Sequence, residues 1–278
     1  MLEWRAEISS QIASFLRMVG RQPRSLLMLD YDGTLAPFRR ERDQAFPYPG
    51  VTPVLQDIVR IGRTRVVIVS GRDVSETVSL LNIQPCPEIW GLHGRQRQIP
   101  SGIVQSSPLD SATLDALSDA DRWLGYQHLR HHAEFKKGSI AVHWRGLSAT
   151  EGEQIRDRVL LGWRPIAENA DLAILHFDGG IEIRPCGIDK GDAVRAILQE
   201  VSTDAPAVYL GDDTTDEPAF VAMRGRGLSI LVGLRRRPSA AQVWLQPPDE
   251  LLAFLVQWLS ACQGCTVPNG KKAMKVAG

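Results

Sequence analysis

The sequence predicts an α/β fold with a parallel β-sheet, into which a second unit with an antiparallel sheet is inserted. Short apolar runs alternate along the chain with segments of helical period, which is typical of successive βαβ units. Between residues 110 and 185 this alternation gives way to two hairpin patterns, and hairpins form antiparallel sheets. We therefore predict a discontinuous core over residues 1–109 and 186–262, an inserted α+β unit over 110–185, and a flexible tail over 263–278.

The individual elements follow from the hydrophobic pattern. Apolar runs predict core strands at residues 26–30, 65–70, 88–92, 207–211 and 228–232. A period near 3.6 residues predicts core helices at 53–61, 75–81, 190–201, 216–223 and 248–261, after an amphipathic helix within residues 1–20. In the inserted unit, helical patterns cover 114–124 and 151–161, and hairpins pair 132–136 with 139–145 and 171–177 with 181–184.

Composition and charge argue against several classes of partner. Lysine plus arginine and aspartate plus glutamate number 32 each, so no basic field favours nucleic acid. No apolar run approaches the roughly 18 residues that span a bilayer, so no membrane partner is expected. The four cysteines do not form the dense framework of a small secreted domain, and they favour a reduced, cytoplasmic setting.

The most informative motif is Asp-Tyr-Asp-Gly-Thr at residues 30–34, directly after the first apolar run. Asp30 and Asp32 are two residues apart, so they share one side of the chain if the strand continues. One carboxylate can attack phosphorus and form an acyl-phosphate, while the other can carry the proton. An Asp-Gly pair after an apolar run is also typical of an ordinary hairpin turn, and the motif alone leaves that alternative open.

Further polar residues follow other predicted core strands. Ser70 ends the second strand, and the neighbours Asp212 and Asp213 follow the fourth. Ligands of open α/β sheets bind at this edge of the sheet. Two adjacent carboxylates repel each other unless a cation lies between them, and Mg²⁺ suits a site of carboxylates and phosphate. Asp216 fits either this site or the favourable acidic start of a helix.

Basic residues offer a second set of candidates. Lys190 lies at a predicted helix start, where the helix dipole disfavours a lysine, so it either neutralises phosphate charge or is simply solvated. The arginines at 224, 226 and 235–237 are interpreted as a solvated face, with an anion site as the alternative.

The inserted unit carries charged residues on its predicted strands, namely Glu134, Lys136, His143, Arg145 and Glu182. Side chains at these positions either face solvent or form a polar platform that reads the hydroxyl groups of a sugar. A platform of this kind discriminates between ligands because a wrong ligand leaves its polar groups unpaired.

Several segments together resemble a known family: LDYDGTLAP (29–37), VSGRD (69–73), GLHG (91–94), AEFKKGSIAVHWR (133–145), IEIRPCGIDKG (181–191) and LGDDTTDEPAF (210–220). Their order resembles the haloacid dehalogenase superfamily, and the full set is similar to the trehalose-6-phosphate phosphatases. The resemblance implies a Rossmann-like core with an α+β cap inserted between the serine and lysine motifs. It implies hydrolysis of trehalose 6-phosphate with Mg²⁺ as cofactor, and a functional pairing with a trehalose-6-phosphate synthase.

The resemblance also implies residue roles. Asp30 would be the nucleophile and Asp32 the acid/base, while the phosphoryl group would be held by Thr34, Ser70 and Lys190. The Mg²⁺ site would comprise Asp30, Asp32 (through its carbonyl), Asp212, Asp213 and Asp216. The substrate-binding residues would be Gly71, Arg72, His93, Glu134, Lys136, His143, Arg145 and Glu182. Two alternatives remain: the same chemistry on glucosylglycerol phosphate or sucrose phosphate, and a non-catalytic module that binds a sugar phosphate.

Overall fold

The computed structural model describes residues 2–39 and 41–264, which form two β-sheets with helices. In chain order the elements are α1 (Leu2–Arg21), β1 (Ser25–Leu29), α2 (Val51–Ile61), β2 (Thr64–Val69), α3 (Val74–Leu81), β3 (Glu88–Gly91), β4 (Gln96–Gln98), β5 (Val104–Ser106), α4 (Ser111–Tyr126), β6 (Ala133–Lys136), β7 (Ser139–His143), α5 (Ala149–Asn169), β8 (Leu172–Phe177), β9 (Gly180–Pro185), α6 (Lys190–Gln199), β10 (Ala207–Gly211), α7 (Glu217–Ala222), β11 (Leu228–Val232), β12 (Val243–Leu245) and α8 (Asp249–Gln263). Short 3₁₀ helices lie at Arg42–Gln44, Leu92–Gly94, Arg130–His132 and Thr214–Asp216. From residue 265 onward, the predicted tail lies outside the described residues.

The larger sheet confirms the predicted α/β class. Its strands run in the order β12-β11-β10-β1-β2-β3-β4-β5. The strands from β12 to β3 pair in parallel, and β4 and β5 extend the sheet in antiparallel fashion. The sequence pattern missed β4, β5 and β12 because each has only three residues, too few to show a strand pattern. None of the described helices is both long and apolar enough to cross a bilayer.

Both faces of the larger sheet are buried, which explains the uninterrupted apolar run of β1. Leu27 and Leu29 pack among residues of α1, α2 and α8 on one face. Leu26 and Met28 point the other way and pack among residues of α6 and α7. Helices therefore cover the sheet on two sides, and its strand ends are left to carry polar groups.

The smaller sheet contains the two predicted hairpins, and its strands run antiparallel in the order β6-β7-β9-β8. Helices α4 and α5 cover one of its faces, where Trp163 is fully buried. Helix α5 continues past Leu161, through Pro165, and so is longer than its pattern predicted. On β9, Ile181 and Ile183 belong to this apolar core, so the intervening Glu182 points to the opposite face.

Strand ends differ from the prediction by one residue at two important positions. β1 ends at Leu29 and β2 ends at Val69, so Asp30 and Ser70 lie just beyond their strands. The condition for the predicted shared side of Asp30 and Asp32, a strand that continues to Asp32, is therefore not met, although both residues line one cleft. Their orientation is set by the contacts of each side chain.

Candidate active site

A cleft of about 1060 Å³ lies between the two sheets. Its lining includes Asp30 and Asp212 from the strand ends of the larger sheet, and Glu134, His143 and Glu182 from the smaller sheet. The polar residues that the sequence placed on separate segments therefore line a common space. A ligand in this cleft would contact both sheets.

Lys190 lies at the base of the cleft on the first turn of α6. A capping box between Asp189 and Asp192 starts this helix. The Lys190 ammonium is 2.6 Å from Oδ1 of Asp30 and 2.8 Å from Oδ1 of Asp216. Burial by itself lowers the pKa of Lys190, but the two carboxylates outweigh burial and raise it. The alternative of a solvated lysine is wrong, because Lys190 is buried and charged between two acids.

Asp216 fixes the acidic loop that follows β10. Its Oδ1 accepts hydrogen bonds from Lys190 and from the Tyr209 hydroxyl, which is 2.5 Å away. Its Oδ2 accepts from the backbone N–H groups of Asp212 and Asp213, each at 3.0 Å. Asp216 is fully buried and holds the backbone of the two preceding acids in place.

Asp30, Asp212 and Asp216 bring carboxylate oxygens within 4.8 Å of one another. Burial raises the pKa of Asp30 to about 7, and burial with the neighbouring carboxylates raises the pKa of Asp212 well above its usual value. Three carboxylates share the single ammonium of Lys190 among the described groups. This excess of negative charge, offered by oxygen donors only, fits a hard divalent cation.

Gly33 leaves the space that Asp212 occupies. A Cβ at this position would lie 2.0 Å from Oδ2 of Asp212, and the backbone φ of +79° also favours glycine. The Gly of the Asp-Gly pair therefore serves the acidic cluster, and the hairpin alternative is wrong because β1 is followed by no antiparallel partner.

The side chains of Asp32 and Asp213 are engaged outside this cluster. The Asp32 carboxylate accepts hydrogen bonds from Nε and Nη2 of Arg72, both at 2.7 Å, in a bidentate ion pair. Asp213 accepts from the N–H of Thr214 at 2.6 Å and from the N–H of Asp178 at 3.0 Å. Asp178 lies in the turn between β8 and β9, so Asp213 joins the two sheets.

Of the remaining predicted phosphoryl-binding residues, Thr34 lies beside Asp30 and Ser70 contacts the segment after β2, and neither is among the described residues that line the cleft. The Thr34 hydroxyl is 3.4 Å from Oδ2 of Asp30. Ser70 is fully buried, and its hydroxyl accepts from the N–H of Arg72 at 3.1 Å. Gly71 lines the cleft, where any Cβ would lie 2.7 Å from the His93 ring.

The charged residues of the smaller sheet form one connected network on the cleft side. Lys136 Nζ is 2.9 Å from Glu182 and 3.4 Å from Glu134. His143 Nε2 is 2.9 Å from Glu134, and the Ser139 hydroxyl donates to Glu182 at 2.6 Å. The solvent-facing alternative is wrong for these strands, because Glu182 is only 2% exposed. We call Glu134, Lys136, His143 and Glu182 the cap cluster.

Protonation in the cap cluster is set by its internal pairs. Burial alone raises the pKa of Glu182, but the charges of Lys136 and His93 outweigh burial and bring it well below the usual value. Burial and the positive charges of Lys136 and Arg145 lower the pKa of His143 to about 4. At neutral pH, Glu182 is therefore an anion and His143 is a neutral ring.

The larger unit adds three side chains to the cap cluster region. His93 Nε2 is 3.2 Å from Glu182, and burial lowers the pKa of His93 to about 4 despite this carboxylate. Arg42 forms an ion pair with Glu134. Phe38 packs under the Arg145 guanidinium, 3.9 Å from its ring centroid. Sequence reasoning found His93 and Arg145, but it missed Arg42, which lies in a loop without any motif.

The chain, with its buried lysine between acids at the ends of parallel strands, shares its fold with a haloacid dehalogenase-like hydrolase of Bacteroides thetaiotaomicron. That structure superposes with a TM-score of 0.59 at 14% identity, covering 84% of this chain and 99% of that one. The sequence model for trehalose-phosphatase matches residues 28–247, and the chain belongs to this family. A structure of the C-terminal domain of a C. albicans trehalose-6-phosphate phosphatase superposes with a TM-score of 0.79 at 20% identity. The match covers 90% of this chain and 96% of that one.

Curated relatives extend this similarity over most of the chain. A trehalose-phosphate phosphatase of Mycobacterium marinum is 28% identical over 265 residues, covering 88% of this chain and 65% of that protein. An uncharacterized glycosyl hydrolase of Mycobacterium tuberculosis is 29% identical over 267 residues, covering 90% of this chain and 19% of that protein. The chain thus spans between about a fifth and two thirds of the length of these relatives.

Proposed function

We propose that this protein is a Mg²⁺-dependent phosphatase that hydrolyses trehalose 6-phosphate to trehalose and phosphate through an aspartyl-phosphate. One observation carries the proposal: the Asp30 carboxylate, 2.6 Å from the Lys190 ammonium, opens into a cleft whose other wall is the cap cluster. Family membership and the curated relatives support the choice of substrate.

In this proposal Asp30 attacks the phosphorus of the substrate, and the bond from phosphorus to the sugar oxygen breaks. Asp32 donates a proton to that oxygen, so the sugar leaves as an alcohol. Water then attacks the aspartyl-phosphate, Asp32 takes a proton from this water, and phosphate is released with Asp30 regenerated. In the structure both oxygens of Asp32 accept hydrogen bonds from Arg72, so Asp32 must release one of these contacts and take up a proton before it can act as the acid.

Positive charge must accompany an anionic nucleophile that attacks a phosphate. Lys190 supplies one permanent positive charge beside Asp30. Asp30, Asp212 and Asp216 are the residues that would hold Mg²⁺, and the bound cation would offset the charge of the phosphate. Thr34, whose hydroxyl is 3.4 Å from Asp30, and Ser70, which directly follows β2, would position the phosphoryl group by hydrogen bonds.

The cap cluster would recognise the sugar. It offers carboxylate acceptors in Glu134 and Glu182 and an ammonium donor in Lys136, which together match the two-way hydrogen bonding of hydroxyl groups. A sugar that fails to satisfy these buried groups would bind poorly. The inserted unit over residues 110–185 would act as a cap that excludes water during the reaction.

The test is phosphate release from a panel of sugar phosphates, with Mg²⁺ and with a chelator. The variants are Asp30→Asn and, as a matched control, Asp57→Asn at an exposed position of α2. We expect metal-dependent release that prefers trehalose 6-phosphate, retained in the control. We expect a loss on the order of 10⁴-fold in Asp30→Asn, because no nucleophile remains.

Each outcome has a distinct meaning. Metal-dependent release that favours another sugar phosphate, such as sucrose phosphate, would keep the chemistry and reject the substrate. Release from no substrate would favour a non-catalytic binding module. Equal loss in both aspartate variants would show that the substitution acts on the fold.

Two further expectations belong to this proposal. A cytoplasmic setting is supported by the free thiols of Cys86, Cys186 and Cys262. A functional pairing with a trehalose-6-phosphate synthase would supply the substrate next to the cleft. Co-purification of the two proteins from the native organism tests this pairing.

A further inference from the structure

The loop between β11 and β12 packs on the acidic loop after β10. Its Arg237 donates from Nε and Nη2 to the carbonyl oxygen of Asp212, at 3.2 and 3.1 Å. The same guanidinium forms an ion pair with Glu217, at the start of α7. Interpreting the arginines as a solvated face is therefore wrong for Arg237, which is partly buried against the acidic loop.

The contacts of Arg237 are fixed from both sides. Its Nη1 also donates to the carbonyl oxygen of Pro238 at 2.9 Å, and Glu217 accepts from the N–H of Ala240 at 2.7 Å. The arginine, the glutamate and the β11–β12 loop thus hold one another in place. Only the planar fork of arginine can contact the Asp212 carbonyl twice and Glu217 at the same time.

Both backbone polar groups of Asp212, its N–H and its carbonyl, are consequently hydrogen-bonded. Its N–H donates to Asp216 at 3.0 Å, and its carbonyl receives the two hydrogen bonds from Arg237. Neither contact uses the Asp212 carboxylate, which faces Asp30 and Asp216 in the acidic cluster. These backbone contacts therefore fix the orientation of Asp212 without using its carboxylate.

We propose that Arg237 is a positioning residue for the divalent cation: it orients Asp212 through the backbone carbonyl without contacting the cation or the substrate. The inference rests on the proposed function for the presence of a cation at Asp30, Asp212 and Asp216. Groups that orient a metal ligand typically change metal affinity by roughly 10–100-fold when they are removed.

The experiment measures Mg²⁺ binding to the full chain by calorimetry, without substrate. The variants are Arg237→Gln and Arg237→Lys, and the matched control is Arg235→Gln, which removes the same charge from an exposed site two residues earlier. We expect Arg237→Gln to weaken Mg²⁺ binding roughly 10–100-fold. Arg237→Lys should recover little of it, because an ammonium cannot form the fork. Arg235→Gln should bind as the unmodified protein does.

Kinetics and stability separate positioning from a general structural role. For Arg237→Gln, the Mg²⁺ concentration for half-maximal phosphatase activity should rise by the same factor as the dissociation constant. The rate at saturating Mg²⁺ and the melting temperature in chelator should stay close to those of the unmodified protein. Should Arg237→Gln fail to fold, Arg237→Lys carries the same comparison.

Three results would overturn the inference. Unchanged Mg²⁺ affinity in both Arg237 variants would show that the carbonyl contact does not orient Asp212. Equal weakening in Arg235→Gln would assign the effect to net charge. If the unmodified protein binds no Mg²⁺, the proposed cation site is rejected, and the inference fails with it. If that protein still releases phosphate without metal, the phosphatase assignment stands on its own.

Discussion

The two walls of the cleft both carry buried charges, but they balance them differently. At the strand ends, three carboxylates (Asp30, Asp212 and Asp216) face one lysine. In the cap, two carboxylates of the cap cluster face two cations, since Glu134 pairs with Arg42 and Glu182 pairs with Lys136. The wall at the strand ends, which we call the unbalanced wall, therefore has an excess of negative charge. In the cap wall, which we call the balanced wall, each of the two carboxylates has a cation partner, and Arg145 adds a further positive charge.

This difference in charge balance suits the two walls to different chemistry. On the unbalanced wall, burial and then the neighbouring carboxylates raise the pKa values of Asp30 and Asp212, and a divalent cation would restore the balance. The balanced wall lowers the pKa of Glu182, so its charges are satisfied before any ligand arrives. Under the proposed function, buried acids would serve cation binding on one side and hydrogen bonding to a neutral sugar on the other.

The largest expected effect comes from removing the single cation of the unbalanced wall. Lys190→Met leaves the buried Asp30 and Asp216 without the cation that pairs with both, so the free energy of unfolding should fall by about 3–5 kcal/mol. Urea unfolding at pH 8 in chelator measures this loss. The control is Lys137→Met, whose side chain is 77% exposed and should cost at most about 1 kcal/mol. Equal small losses in both variants would contradict the charge imbalance.

A smaller effect is expected at His93, where the two walls meet. Its folded pKa of about 4 lies below the ordinary value of 6.5, so the unfolded chain takes up a proton in this window that the folded chain does not. Stability is therefore lost as the pH falls from 6.5 toward 4. Relative to His93→Asn, the unmodified protein should lose about 2 kcal/mol between pH 7 and pH 5.

Backbone strain is controlled in this comparison. Asparagine tolerates the positive φ of 57° at His93, and exposed His128 has a φ of 56°, so His128→Asn is the matched control. Urea unfolding in chelator at pH 7, 6 and 5 gives the difference for each variant. A difference that stays constant with pH for His93→Asn would exclude a depressed pKa at this site.

The smallest expected effect is a proton linkage at the unbalanced wall. Because burial raises the pKa of Asp30 to about 7, protons compete with Mg²⁺ below neutral pH. The affinity for Mg²⁺ should rise up to about tenfold per pH unit between pH 5.5 and 7, and binding should release protons into the buffer. Calorimetry in buffers of different ionisation enthalpy measures both. A dissociation constant independent of pH would contradict the raised pKa.

Much of the unbalanced wall could be predicted from the sequence because its residues follow apolar strands. Asp30, Ser70 and Asp212 lie directly after β1, β2 and β10, which are neighbours in the sheet. The carboxyl ends of parallel strands lie at one edge of the sheet, so residues that follow apolar runs in the sequence also lie close together in the fold. The three-residue edge strands escaped prediction because they are too short to show a period.

The contacts that connect the walls could not be predicted in the same way. Arg42 and Arg237 lie in loops, and each finds its partner through tertiary packing alone. Arg72 shows the same limit of sequence-based prediction, although it lies in a recognised motif. Its motif predicted a substrate contact, which stays a prediction, but not the pairing of its guanidinium with Asp32, 40 residues away. Sequence motifs identify charged groups, but only the fold determines which charges pair.

The central claim is that the unbalanced wall performs the chemistry while the balanced wall selects the sugar. The most direct measurement is kcat/KM of Glu182→Gln for trehalose 6-phosphate and for p-nitrophenyl phosphate. His143→Asn serves as a second variant, and Glu153→Gln, at an exposed position of α5, is the control. The account predicts a loss on the order of 10²-fold for the sugar phosphate. The aryl phosphate should change by less than about threefold, and equal losses on both substrates would contradict the account.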